Sequence, residues 1–251
     1  MNEHSIKRFW EIDFMRGLSI VMMIIFHLIY DLNYFNVYNF FLHSNFWVYF
    51  ARATATIFIL IVGISLTLSY SRARKIQDVK YKIFMKYFKR GLKIFSWGLI
   101  LTLITWIFIK ERFIIFGILH FIGISIILAY PFLRLRYWNL LIGAVIISIG
   151  IYLKGITFDF DWFIWLGLMP DNFSTLDIFP VFPWFGVILL GVFLGNILYP
   201  DYIRRFYLRD LTHLTFVRSF CFLGRHSLLI YLIHQPVLIM LLYIFNAYVI
   251  G

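Results

Sequence analysis

Four ionisable side chains interrupt an otherwise apolar stretch, Asp13 to Asp31, DFMRGLSIVMMIIFHLIYD. An imidazole with an ordinary pKa of about 6.5 takes up and returns protons near neutral pH. A carboxylate can orient such a ring or stabilise its charged form, and a guanidinium can hold an anion. On a helix turning about 100° per residue, Asp13, Arg16, His27 and Asp31 fall within one stripe roughly 60° wide, with Gly17 beside it. At about 1.5 Å of rise per residue, the stretch matches a hydrocarbon core of roughly 30 Å. Ionisable groups at that depth cost at least a few kcal/mol each unless they face protein, water or each other. The stripe is therefore expected to look into a helix bundle. Anchoring at a helix end accounts for Asp13 and Arg16 as well as chemistry does, whereas His27 lies far from either end and reads as an acid-base group.

Other polar groups recur at comparable depth. They are His43 in NFFLHSNFW, His120 in FGILHFIGIS and His234 in SLLIYLIHQP, with Arg52 in WVYFARATATIF entering from the same side. A buried arginine stays charged and requires a carboxylate, so the sequence predicts a contact between Arg52 and Asp31. That pair fits an interhelical lock as well as a substrate clamp. Ser227, Tyr231 and His234 share one face of the last apolar segment, and Gln235 and Pro236 follow them. Proline frees backbone groups inside a bundle, while the serine needs no more than a hydrogen bond to a neighbouring helix. No two of these histidines stand at i, i+3 or i, i+4, so no metal is expected. Neither a glycine-rich phosphate loop nor a nucleophile elbow occurs.

The elements that must carry these groups are spanning helices. Of 251 residues, 62% are hydrophobic, 22% aromatic and 14% charged, against about 25% charged in a soluble domain. An all-α polytopic bundle of about seven spans is expected, at 13–34, 46–70, 91–109, 114–134, 137–154, 182–199 and 222–246, forming a single domain over 1–251. The net charge of +11 raises nucleic acid as a partner, but 19 of the 23 Lys and Arg fall in alternate connections. Positive-inside topology explains that placement, excludes any need for nucleic acid, and puts the N-terminus in the cytoplasm of a multi-pass cell-membrane protein facing anionic lipids. The connection SRARKIQDVKYKIFMKYFKRGLK is expected to lie on the inner surface as an amphipathic helix. A second amphipathic piece, YIRRFYLRDLTHLTFVRSF, leads into the last span. The outer connection from Gly155 to Val181 has four aspartates, many aromatics and no basic residue, which suits an interfacial cap. Glycines within the spans suit close helix packing. The single Cys221 excludes an intrachain disulfide and a thiolate metal cage. No cleavable signal peptide is expected, because the first apolar segment has full span length and lacks a small-residue cleavage site.

The segment RFWEIDFMRG from Arg8, followed by His27 and HLIYDL, resembles the heparan-alpha-glucosaminide N-acetyltransferase catalytic-domain family, and FPVFPWFGVILLGVFLG and FLGRHSLLIYLIHQPVL extend the likeness over nearly the whole chain. The resemblance implies transfer of an acetyl group from cytosolic acetyl-coenzyme A to an amino sugar across the membrane. In the wider group of integral-membrane sugar acyltransferases, an Asp, an Arg and a His match Asp13, Arg16 and His27, with the histidine as base and the arginine on the coenzyme side. Their second arginine is Ser19 here. In the animal glucosaminide enzymes an asparagine replaces that histidine and a loop histidine is catalytic, for which His43 is the match. Both histidines stay open as the base.

Such a transfer suits the residues. An amine or hydroxyl attacking a thioester sheds a proton, which a neutral imidazole accepts, with Asp31 one turn on to orient the ring. His120, Tyr231, Gln235 or Arg52 would donate to the developing oxyanion, His234 would help bind the substrate or acyl donor, and Arg16, Arg90 and Arg225 would meet the coenzyme phosphates. The expected partners are acyl-CoA, an extracytoplasmic sugar or glycan, membrane lipids and, compatibly, a second copy of the chain. A small-solute or proton-coupled transporter or flippase would use the same groups, but the inverted repeats common in such proteins are absent. A purely structural subunit leaves the gathering of histidines unexplained.

Overall fold

The computed structural model describes residues 8–38, 40, 42, 44–76, 79–160, 162–171 and 173–250. Eight α-helices run through them: α1 (Trp10–Tyr34), α2 (Asn45–Ile76), α3 (Lys80–Phe108), α4 (Ile118–Leu128), α5 (Trp138–Leu153), α6 (Val181–Leu198), α7 (Thr215–Arg225) and α8 (Ser227–Ile250). Among the described residues there is no strand beyond two isolated bridges, Phe116 with Ile178 and Thr157 with Met169. The all-α bundle is therefore as expected.

Five helices are long and apolar enough to cross a membrane: α1, α2, α3, α6 and α8. Two of the seven expected spans are shorter. The segment 114–134 is broken into α4, of 11 residues, and a 3-10 turn at Pro131–Arg134, and α5 has 16 residues. At about 1.5 Å per residue these reach about 16 and 24 Å, below the roughly 30 Å of a hydrocarbon core. Pro131 opens the 3-10 turn, where it has no amide hydrogen to continue α4.

The basic connection after the second span is not one surface helix. α2 continues to Ile76 and α3 starts at Lys80, so both helices outlast the apolar stretch and carry the Lys and Arg on their ends. Arg74 and Lys75 in the last turn of α2 suit the negative end of its dipole. The amphipathic piece before the last span is helical only from Thr215. α7 buries Val217, Cys221 and Gly224, at i, i+4 and i+7, and exposes Phe216, Arg218, Phe222 and Arg225.

The chain divides into two compact units, Met1–Ile61 with Leu208–Gly251, and Val62–Tyr207. In the first, α1 packs on α7 and α8. The crossing with α7 requires glycine on both helices. A Cβ at Gly17 would collide with the carbonyl oxygen of Phe220, and one at Gly224 with that of Asp13. Cys221 Sγ donates to the Trp10 carbonyl at 3.3 Å, and Phe14 meets Phe220 with ring centroids 5.2 Å apart.

In the second unit, α3 packs on α4 and α5 on α6. Gly143 and Gly186 bring the latter pair together: a Cβ at Gly186 would lie 2.5 Å from the Gly143 carbonyl oxygen. Phe121, Ile188, Leu189 and Val192 form the sealed core. Tyr87 of α3 donates to the Leu66 carbonyl of α2 at 2.9 Å, and the buried Asn139 closes the turn before α5 by donating to Phe132 and Arg136. On the outward face of α3, Leu99, Leu103 and Trp106 are more than half exposed. Bilayer hydrocarbon is the environment in which such side chains cost nothing.

A histidine pair and a capped carboxylate between α1 and α8

Within the first unit, the polar stripe of α1 meets the polar face of α8. The rings of His27 and His234 lie 5.0 Å apart between centroids, inclined at 57°. Four residues after His27, Asp31 is buried, and the Gln235 side-chain amide donates to its two carboxylate oxygens at 2.9 and 3.1 Å. His234 and Gln235 are consecutive, so one turn of α8 supplies a partner to each of two α1 residues spaced one turn apart.

The tautomer of His234 follows from its neighbour. Its Nδ1 contacts the carbonyl oxygen of Tyr231, which can only accept, so Nδ1 carries the hydrogen. In the neutral ring Nε2 is then a lone-pair acceptor. That atom is buried and has no hydrogen-bond partner, as is Oε1 of Gln235. Two unpartnered acceptors on consecutive residues of α8 suit a ligand that brings N–H or O–H groups. Pro236 follows directly and lacks a backbone N–H, leaving the preceding turn of α8 one donor short.

At the other end of the stripe, Arg16 Nη1 donates to Asp13 at 2.9 Å and to the Gly224 carbonyl at 3.4 Å. Arg16 precedes His27 by 11 residues, about 16 Å along the helix. Arg225, at the end of α7, is exposed.

Two expected contacts differ. Arg52 is exposed, and it makes no ion pair with Asp31 among the described residues; the amide of Gln235 takes that place. Nor does Asp31 bond the His27 ring, because both of its oxygens turn to α8. The sequence held the signal for the first difference, since Gln235 directly follows a deep histidine, but spacing alone gives no interhelical register. His43 lies outside the described residues.

His120 belongs to the second unit. It is sealed in by Phe95 and Phe116, its Nε2 lies 3.3 Å from Thr102 Oγ1, and Gly98 leaves room for its ring. A residue that the sequence did not single out, Asp177 in the outer connection, accepts from the Ile118 amide at 3.0 Å and so caps α4. Burial pushes its carboxyl up to about 6 from 3.8, against the backbone hydrogen bonds of Ile118 and Ile178, which lower it. No cluster of three or more His, Cys, Asp or Glu able to hold a metal occurs among the described residues.

Apolar helices of spanning length define a multi-pass membrane protein, and within its first unit two of them, α1 and α8, bring His27 and His234 together. The family model described as "Heparan-alpha-glucosaminide N-acetyltransferase, catalytic" matches residues 8–236. The chain belongs to that family of membrane acetyltransferases, and the matched segment contains Asp13, Arg16, His27, Asp31, Tyr231, His234 and Gln235. No curated protein and no solved structure matches it.

Proposed function

We propose that this protein moves an acetyl group from cytosolic acetyl-coenzyme A to an amino or hydroxyl group of a sugar or glycan on the extracytoplasmic side of the cell membrane. The observation that carries this reading is the His234 ring, its Nε2 buried and unpartnered, with its centroid 5.0 Å from that of His27 between α1 and α8. Family membership supports the acetyl chemistry.

In the transfer, the acceptor nitrogen or oxygen attacks the thioester carbonyl carbon. Its proton passes to the His27 imidazole, with His234 alongside to share the position of that proton. The carbon–sulfur bond breaks, and the coenzyme leaves as a thiolate that is reprotonated. Tyr231, whose ring centroid lies 5.5 Å from that of His234, would donate to the oxyanion. Asp31 acts through Gln235, holding the amide that would otherwise rotate. Arg16 and Arg225 stand toward the basic, cytoplasmic end of α1 and α7, where an anionic donor would enter.

The test is release of free coenzyme A from acetyl-coenzyme A by the purified full chain, comparing wild type, His27→Gln and His43→Gln. Loss at His27 supports the reading. Loss confined to His43 moves the base to the loop, and absence of cleavage together with solute uptake by reconstituted vesicles replaces transfer by transport.

A further inference from the structure

The cytoplasmic connections bring their cations together in a way that topology alone does not require. Within the second unit, the end of α2, the start of α3, the turn before α5 and the segment after α6 enclose a cavity of about 830 Å³. Six cations line it, Arg74, Lys75, Lys80, Arg134, Arg136 and Arg205, against one acid, Asp201. Positive-inside sorting accounts for basic residues in each connection. It does not account for three connections converging on one concavity, where like charges raise each other's energy. Among the described residues, none of the six makes an ion pair with a carboxylate.

Local structure holds the cations in place. Arg134 Nε donates to Tyr70 Oη at 2.6 Å, and the guanidinium carbons of Arg74 and Arg134 each lie 5.9 Å from the Tyr70 ring centroid. Tyr70 is itself buried, so it anchors two guanidiniums side by side. Two lining residues also have left-handed backbones, Arg136 with φ 39° and Asp201 with φ 48°. That conformation strains a residue with a Cβ, and such strain collects where side chains must be aimed at a ligand.

We propose that this cavity binds a ligand carrying two or more phosphate groups. Guanidinium forks match phosphate oxygens two at a time, and six cations against one acid exceed what a single phosphate would balance. The volume lies within the range of about 300–1,000 Å³ that holds ligands of nucleotide size. Two sources supply that chemistry on the cytoplasmic side: a soluble nucleotide with a diphosphate, or a bisphosphatidyl lipid headgroup of the inner leaflet. Such a site would serve the protein whatever group it transfers.

The test uses the full chain in nanodiscs of phosphatidylcholine. Pyrophosphate and ADP are titrated against wild type, Arg136→Gln, Arg205→Gln and the triple variant that adds Lys80→Gln; a parallel arm measures retention of cardiolipin by native mass spectrometry. Arg136 and Arg205 lie outside the α-helices, so their single variants remain informative if the triple variant misfolds. Loss of one charge-assisted contact is expected to weaken binding about tenfold, and the triple variant to abolish it. Pyrophosphate and ADP binding that the variants weaken assigns the soluble source, and cardiolipin retention that they weaken assigns the lipid. If neither probe binds wild type, or if binding survives all the substitutions, the site does not exist.

Discussion

The side-chain amide of Gln235 donates to both carboxylate oxygens of Asp31, joining α1 to α8 across 204 residues of sequence. Asp31 is only 3% exposed, so water cannot replace the amide if it is lost. Gln235→Ala should therefore destabilise the protein by about 1–3 kcal/mol, the cost of stranding a buried acceptor. Asp31→Ala should cost a similar amount, and the double variant less than the sum, because each change removes the same bond. Arg52→Ala, at an exposed position, should stay within about 0.5 kcal/mol of wild type. Thermal unfolding of the four variants in one detergent decides this; additive losses at 31 and 235 would show that the pair is not coupled.

The contact of α1 with α7 depends on two missing side chains. A methyl group on Gly17 or Gly224 would meet backbone carbonyl oxygen, which cannot rotate away as a side chain can. Each Gly→Ala change should cost about 1–3 kcal/mol, the range for overpacking a tight interface. Gly155→Ala is the control: its nearest neighbour would be the Tyr152 carbonyl oxygen at 3.7 Å, an ordinary contact. Equal melting temperatures for all three variants would contradict the close crossing.

Asp177 predicts a pH dependence with a definite sign. Its carboxyl titrates at about 6 in the folded protein and at 3.8 ordinarily, so folding favours the protonated form. By linkage, the contribution to stability is fully present below pH 3.8 and is lost as pH rises through about 6. Asp177→Asn keeps an oxygen to accept from Ile118 but cannot ionise. Its unfolding temperature should be flatter than that of wild type between pH 3.8 and about 6. Parallel curves for the two proteins across that window would remove Asp177 as the titrating group.

How much of this was legible in the sequence depends on the range of the interaction. The 3.6-residue period put Asp13, Arg16, His27 and Asp31 on one stripe, and the structure turns that stripe toward α7 and α8. Charge depletion gave the all-α membrane bundle. Span count erred where hydropathy runs through a break: Ile114 to Arg134 reads as one apolar stretch, yet α4 ends at Leu128 and Pro131 starts a 3-10 turn. Pairing errors have a different cause. Charge complementarity named Arg52 for Asp31, but helix rotation decides which side chain arrives, and the sequence of one helix does not fix the rotation of another. The close approach of Gly17 to Phe220 and the gathering of cations around Tyr70 are likewise interhelical facts. Glycine and arginine in the sequence admit them without specifying them.

The proposed transfer makes its sharpest prediction at the histidine pair. If His27 accepts the acceptor's proton, His27→Gln keeps a polar group of similar size but removes the base, and release of coenzyme A should fall by about 10²–10⁴-fold, the usual share of general base catalysis. The Michaelis constant for acetyl-coenzyme A should change little, since the donor's phosphates would be held at the opposite end of α1. His234 has its Nδ1 committed to the Tyr231 carbonyl, so only Nε2 is available to a ligand or to His27. His234→Gln should therefore also lower turnover, and because the two rings are adjacent the double variant should be no slower than the slower single one. Independent, multiplying losses would mean that the rings act in separate steps. Full activity in His27→Gln, with the protein folded, would leave α1 and α8 holding a structural contact and shift the base to His43 or out of this chain's chemistry altogether.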